Sequence, residues 1–138
     1  MWNQNRTLFI VKPDAVERHL IGRILAHVEE AGFHLIAGRY TTLTQAECEV
    51  FYAEHKERPF FGELVAYMTS GPVFLTALEG DGGPLRLREV IGATDPAQAA
   101  EGTVRKRFGL DKGRNSVHAS DSVVSAEREV KLFFGNDL

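Results

Sequence analysis

Cysteine is almost missing from this sequence: Cys48 is the only one in 138 residues. An intrachain disulfide is therefore excluded, which fits a reducing compartment better than a stapled secreted domain. Long apolar runs are missing too. No stretch approaches the roughly 20 residues needed to span a bilayer. The N-terminal stretch Met1–Arg6 is polar and leads straight into a strand-like segment, unlike a signal peptide. No charge sign dominates. Lys and Arg number 16 against 19 Asp and Glu, for a net charge of -3 and a pI near 5.9. That balance argues against a broad electrostatic footprint for nucleic acid or anionic membrane, while leaving room for a local basic pocket. Internal repeats, low-complexity tracts and linkers are also absent.

What is there reads as a globular protein, 43% hydrophobic and 25% charged. Its length suits one domain, 1–138, with a proper hydrophobic core. The expected compartment is cytoplasmic. Thr7 to Val11 is apolar and β-rich and reads as a buried strand, ended by Pro13. Apolar residues at Leu20, Ile21, Ile24, Leu25 and Val28 have helical spacing, and Gly32 supplies a stop. Phe33 to Thr42 reads as a second strand. Thr44-Gln45-Ala46-Glu47 has the form of a capping box, predicting a helix to about His55.

Pro59 is placed to open another helix, with Phe60, Phe61, Leu64, Val65 and Met68 on its apolar side. Ser70-Gly71-Pro72 stops it. Val73 to Leu78 is a third strand, Glu79 to Pro84 a Gly-rich turn, and a short helix follows to about Ile91. From Gly92 to Arg114 apolar periodicity is poor. This predicts a long ordered loop, with one helical turn near Thr103 to Phe108. Ser116 to Ala119 reads as a short fourth strand, and Val123, Ala126, Val130 and Phe133 mark a last helix. The element order suggests an α+β fold of ferredoxin-like βαββαβ type, a four-stranded antiparallel sheet covered by helices. The long loops leave room for other sheets.

The chemistry concentrates at Asn115-Ser116-Val117-His118-Ala119-Ser120-Asp121-Ser122. A histidine among small polar residues sits at a strand end, just before a helix whose first N–H groups are unpaired and favour negative charge. Such a histidine is suited to take a phosphoryl group as a covalent nucleophile. Glu129, about two turns along the last helix, is placed to return to the imidazole and fix its tautomer. The plain alternative is a structural histidine, with Ser120 and Ser122 capping the helix.

Asn-x-x-His-(Gly or Ala)-Ser-Asp is the signature of the nucleoside diphosphate kinases, and 115–121 carries it. The chain resembles that family elsewhere too. Arg6 to Ala15 (RTLFIVKPDA) is similar to its N-terminal strand and loop, and Phe51 to Gly71 to its central helical hairpin. Gly92 to Pro96, Gly102 to Arg105 and Ser125 to Phe134 match as well, in the family's order.

The resemblance implies a ferredoxin-like fold and ping-pong transfer of a γ-phosphate, typically from ATP, to a nucleoside diphosphate through phosphohistidine at His118. It implies Mg2+ carried mainly on the nucleotide phosphates, with no dedicated protein ligand set. It implies a homo-oligomer built from dimers, as tetramer or hexamer. Residue by residue, it assigns Lys12 to phosphate and sugar, Arg88, Arg105 and Thr94 to phosphate, and Asn115 to the sugar. Phe60 and Leu64 grip the base, and the Tyr52 hydroxyl approaches the histidine.

Each assignment has physical sense. Phosphoryl transfer is mainly positioning and charge stabilisation. Guanidinium offers paired donors in a fixed plane, and stacking tolerates any base. Taken singly, Lys12 reads as solvent cover, the arginines as surface salt bridges, Thr94 and Asn115 as turn residues, and Phe60, Leu64 and Tyr52 as core. His19, His27, His34 and His55 have no metal-ligand spacing. Gly80 to Gly83 lacks P-loop order.

Three positions depart from the family pattern. Lys112 stands where a small apolar residue often closes over the base. Glu101 stands where proline is frequent, and Ala119 where glycine is commoner. Two other classes of function compete with the kinase. One is a catalytically inactive nucleotide-binding module of the same fold, opposed by the intact set of His118, Lys12, Asn115 and Glu129. The other is a protein- or nucleic-acid-interaction protein, poorly supported by an acidic pI without a basic stripe.

Overall fold

The computed structural model describes residues 1–136 and Leu138; Asp137, the remaining position of the 1–138 span, lies outside the described residues. Four strands form the sheet: β1 (Arg6–Val11), β2 (His34–Thr41), β3 (Val73–Glu79) and β4 (Val117–Ala119). Their order is β2-β3-β1-β4, and every neighbouring pair is antiparallel. This is the ferredoxin-like arrangement expected from the sequence.

Strand β1 explains the architecture. Side chains alternate across a sheet, and here both faces are buried. Phe9 and Val11 enter one core with Ile24 and Val28 of α2 (Ile21–Glu30) and Leu87 and Ile91 of α5 (Gly83–Ile91). Leu8 and Ile10 enter the other with Cys48 and Phe51 of α3 (Gln45–Phe51), Val65 and Met68 of α4 (Phe61–Met68), and Val130 and Phe133 of α7 (Val123–Phe134). A central strand between two helical layers must be apolar along its whole length, which is why TLFIV lacks polar alternation. Burying such a side chain fully is worth roughly 1.5–3 kcal/mol, so β1 is the anchor of both cores.

The predicted elements are present, with boundary differences that have physical causes. Thr44 does form the capping box: its hydroxyl accepts from Glu47 N, and Glu47 reaches back to Thr44 N. The helix it starts ends at Phe51 rather than near His55, and a 3-10 turn, Ala53–His55, continues the chain. Pro59 does not open α4, which begins two residues later at Phe61. Pro13 ends the strand as expected, but it also begins a short helix, α1 (Pro13–Glu17). Five residues are too few to show periodicity, and a proline at the first helical position is as much a start as a stop. The long loop holds a 3-10 turn, Pro96–Gln98, and the expected helical turn as α6 (Val104–Phe108).

Candidate active site

All ten residues singled out from the sequence line one cavity of about 480 Å³ at the end of the sheet. They come from eight parts of the chain. Lys12 follows β1, Tyr52 follows α3, and Phe60 and Leu64 belong to the start of α4. Arg88 lies on α5 and Arg105 on α6, with Thr94 between them. Asn115 and His118 come from β4 and its approach, and Glu129 from α7.

His118 is oriented from one side. Its Nε2 lies 3.1 Å from Glu129 Oε1, and the same oxygen accepts from the Ser120 hydroxyl at 2.7 Å. A carboxylate only accepts, so Nε2 carries the hydrogen and the lone pair sits on Nδ1. The Phe51 ring meets the imidazole edge-to-face, with centroids 4.9 Å apart, and limits its rotation. Glu129 is 6% exposed, and Arg128 places a guanidinium nitrogen 3.5 Å from its other oxygen. Of the two serines read as caps, only Ser122 caps α7, accepting from Ser125 N; Ser120 holds the carboxylate instead.

The cavity floor is cationic and its cations are largely buried. Lys12 is 7% exposed and Arg105 is 5% exposed, far from the solvent cover and surface pairing each would suggest alone. Lys12 Nζ donates to Asn115 Oδ1 at 2.8 Å. Burial, reinforced by the nearby Arg105 charge, lowers its pKa to about 8, with Asp14 and Asp111 opposing. It still carries its proton at neutral pH. Arg105 donates to the carbonyls of Gly92 at 3.1 Å and Val117 at 2.9 Å. Burial and then Arg88 lower its pKa to about 10, which leaves it charged. Its Nε is buried without a partner among the described residues. An orphaned buried donor on a cation is costly unless an anion meets it. Arg88 donates to Ala119 O at 3.2 Å.

Asn115 reaches the floor because Ser116, beside it, adopts a left-handed conformation, φ 77°. That conformation is uncommon for a residue with a side chain. The Asn115 amide also donates to Thr94 O at 3.0 Å, tying the long loop to β4. Burial, with Cys48 and Glu129 adding to it, pushes the Tyr52 phenol pKa up, so its hydroxyl remains a donor. At the rim, Phe60 is 46% exposed and Leu64 is half-buried. Those two are not ordinary core, as an i, i+4 apolar pair on a helix usually is.

The sequence reading missed the roles of residues in the lining and just behind it. Ser120 and Arg128 act on Glu129, and Glu54 pairs with Arg128 at 3.3 Å. Only the three-dimensional contact gives them a role, because each looks like an ordinary surface or cap residue in the chain.

An oriented histidine above buried, unneutralised cations, on a ferredoxin-like sheet, defines an enzyme of the phosphotransferase class. The family described as "Nucleoside diphosphate kinase" matches residues 5–138. A nucleoside diphosphate kinase of Paracoccus denitrificans is 57% identical over 129 residues, covering 94% of this chain and 92% of that protein. One of Pasteurella multocida is 55% identical, covering 94% and 93%. Among solved structures, the Aquifex aeolicus nucleoside diphosphate kinase superposes with a TM-score of 0.92 at 46% identity, covering 94% of each chain. The Encephalitozoon cuniculi enzyme gives 0.93 at 38% identity, covering 96% of this chain and 90% of that one. The chain belongs to the nucleoside diphosphate kinase family. Its activity is the transfer of a terminal phosphate between nucleoside tri- and diphosphates.

Proposed function

We propose that His118 is the phosphoryl carrier of this reaction and that the cavity around it is the nucleotide site. The observation that carries this reading is the Nε2–Glu129 hydrogen bond of 3.1 Å, which leaves Nδ1 as the nucleophile. In the first half-reaction the Nδ1 lone pair forms a bond to the γ-phosphorus. The bond from that phosphorus to the bridging oxygen breaks, and the nucleoside diphosphate leaves with the electron pair. Nε2–H stays on Glu129, which stabilises the positive charge gained by the ring. In the second half-reaction an acceptor diphosphate takes the phosphoryl group back along the same line.

Lys12, Arg88, Arg105, Thr94 and Tyr52 hold phosphate oxygens through these steps. All are cations or hydroxyl donors, and the burial of Lys12 and Arg105 strengthens their contacts. Asn115 and Lys12 take the sugar, and Phe60 and Leu64 take the base. Glu129 is held by His118 and Ser120, and Glu54 by Arg128. This leaves Asp121 as the lining carboxylate without an ion pair among the described residues. Its carboxylate, hydrogen-bonded by the Ser125 and Ser122 hydroxyls, would hold Mg2+ only weakly, so the ion would rely chiefly on the substrate phosphates. When bound there, Mg2+ neutralises phosphate charge.

The reading extends to the whole chain. Residues 1–138 act as one nucleoside diphosphate kinase domain, supported by the family match over 5–138. The working form is a homo-oligomer built from dimers, a tetramer or hexamer. Strand β2 at the sheet edge supports this, since its Tyr40 is 60% exposed and open edges are normally covered. No helix of the described residues is long and apolar enough to cross a membrane. The lone Cys48 supports a cytoplasmic setting. Initial rates with ATP varied at several fixed concentrations of a diphosphate test the mechanism. Parallel double-reciprocal lines are expected; intersecting lines mean direct transfer in a ternary complex and overturn the phosphohistidine route.

A further inference from the structure

Lys12, Arg105 and Asn115 meet at the cavity floor from segments far apart in the chain, and two of them are buried cations. Like charges repel more strongly away from water, and the Arg105 charge is one of the causes that lower the Lys12 pKa. Local structure offers this repulsion little resistance. Arg105 lies on α6, which is only five residues long, too short to be stable without tertiary support. Lys12 and Asn115 lie outside helix and strand.

Arg18 touches all three segments. It directly follows α1, the helix that begins next to Lys12. Its Nη2 donates to the carbonyl of Phe108, the last residue of α6, at 2.6 Å. The same nitrogen lies 3.2 Å from Asp14 Oδ2 and 3.4 Å from Ser116 Oγ, and Nε donates to Asp14 O at 3.1 Å. Each acceptor is close in sequence to a floor residue: Asp14 to Lys12, Phe108 to Arg105, and Ser116 to Asn115. The Lys12 N–H donates to Ser116 O at 2.9 Å, which joins two of the segments directly. Asp14 is itself fixed, because it is 6% exposed and its other oxygen accepts from the Tyr67 hydroxyl. Arg18 stands outside the cavity lining, and its charge is matched by Asp14.

We propose that Arg18 is a positioning residue for phosphoryl transfer, holding the segments of Lys12, Arg105 and Asn115 at one spacing around the phosphate. The inference rests on the nucleotide-site reading above. A guanidinium can bridge several acceptors because its donors fan out in a fixed plane, whereas an ammonium is a point charge on a flexible stem. Without the bridge α6 is free to shift away from Lys12. A small misplacement of groups that stabilise the transferring phosphoryl costs rate more than binding.

The test is phosphoenzyme formation from ATP, read by rapid quench at a temperature where thermal melting shows every variant folded. Arg18→Met should form phosphoenzyme about tenfold more slowly at saturating ATP, with KM changed by about twofold or less. Arg18→Lys should lose nearly as much, since it keeps the charge and loses the fork. The decisive readout is the cycle with Arg105→Ala: in that background Arg18→Met should cost about threefold or less, because part of what it positions is already gone. An equal loss in both backgrounds means that Arg18 acts independently of the floor and overturns the proposal. So does a normal rate in Arg18→Lys, or a raised KM at an unchanged rate. If Arg18→Met does not fold, Arg18→Lys carries the same cycle. Failure of the unsubstituted protein to form phosphoenzyme removes the site reading itself, whereas normal phosphoenzyme formation in the Arg18 variants removes Arg18 alone.

Discussion

Glu129 and His118 stand 11 positions apart in the chain, and Oε1 of the first lies 3.1 Å from Nε2 of the second. The carboxylate comes from α7, the imidazole from β4, and Ser120 bonds the same oxygen from between them at 2.7 Å. This contact decides which ring nitrogen is free to react.

Glu129→Gln therefore separates charge from packing. The amide keeps the size but lacks the negative charge, and it tolerates the wrong tautomer. The rate of phosphoenzyme formation, read by rapid quench, should fall by about 100-fold or more, with little change in KM. An unchanged rate means Glu129 does not orient the nucleophile.

The buried Lys12 predicts an alkaline limb. Its folded pKa is lowered to about 8, chiefly by burial. Its charge is present below that pH and lost as pH rises through it. In the free enzyme kcat/KM should fall above about pH 8. Bound phosphate favours the charged form, so the limb in kcat should lie at higher pH. Lys12→Arg should move the kcat/KM limb upward; a limb that stays in place belongs to another group.

Much of this was legible in the chain. Strand β1 declares itself because a strand buried on both faces has to be uniformly apolar, and Thr44 declares its helix because the capping box is local. The eight residues 115–122 point to the proposed nucleophile, and family resemblance supplies its proposed cationic partners. What stayed hidden is what depends on distance in space. Nothing in the sequence distinguishes Ser120, which bonds Glu129, from Ser122, which caps α7. Nor does it show that Arg105 is buried with an Nε unpaired among the described residues, since an arginine in a basic run usually faces water. Helix α1 stayed hidden because five residues are too short for a periodic signal.

Phe60 gives a prediction about binding alone. Because it is 46% exposed, Phe60→Ala should leave the thermal stability nearly unchanged. The KM for every nucleotide should rise by about tenfold, within the ~1–3 kcal/mol that stacking one base is worth. A loss confined to kcat would place the base elsewhere.

Gly92 ties the backbone to the site. Its φ is 90° and its ψ 179°, a region essentially restricted to glycine. An added Cβ would lie 2.6 Å from Thr103 Oγ1. Its carbonyl also accepts from Arg105. Gly92→Ala should destabilise the fold by about 1–3 kcal/mol in denaturant titration and lower kcat/KM together with it. Stability and activity both at the unsubstituted level would contradict this.

The most direct measurement is the intact mass of the protein after brief incubation with ATP and Mg2+, held near neutral pH because phosphohistidine is acid-labile. His118→Ala is run in parallel. The expected result is one added phosphoryl group, absent in the variant and removed by GDP with formation of GTP. A folded, nucleotide-binding protein that never gains the group, or gains it equally in His118→Ala, would contradict His118 as the carrier.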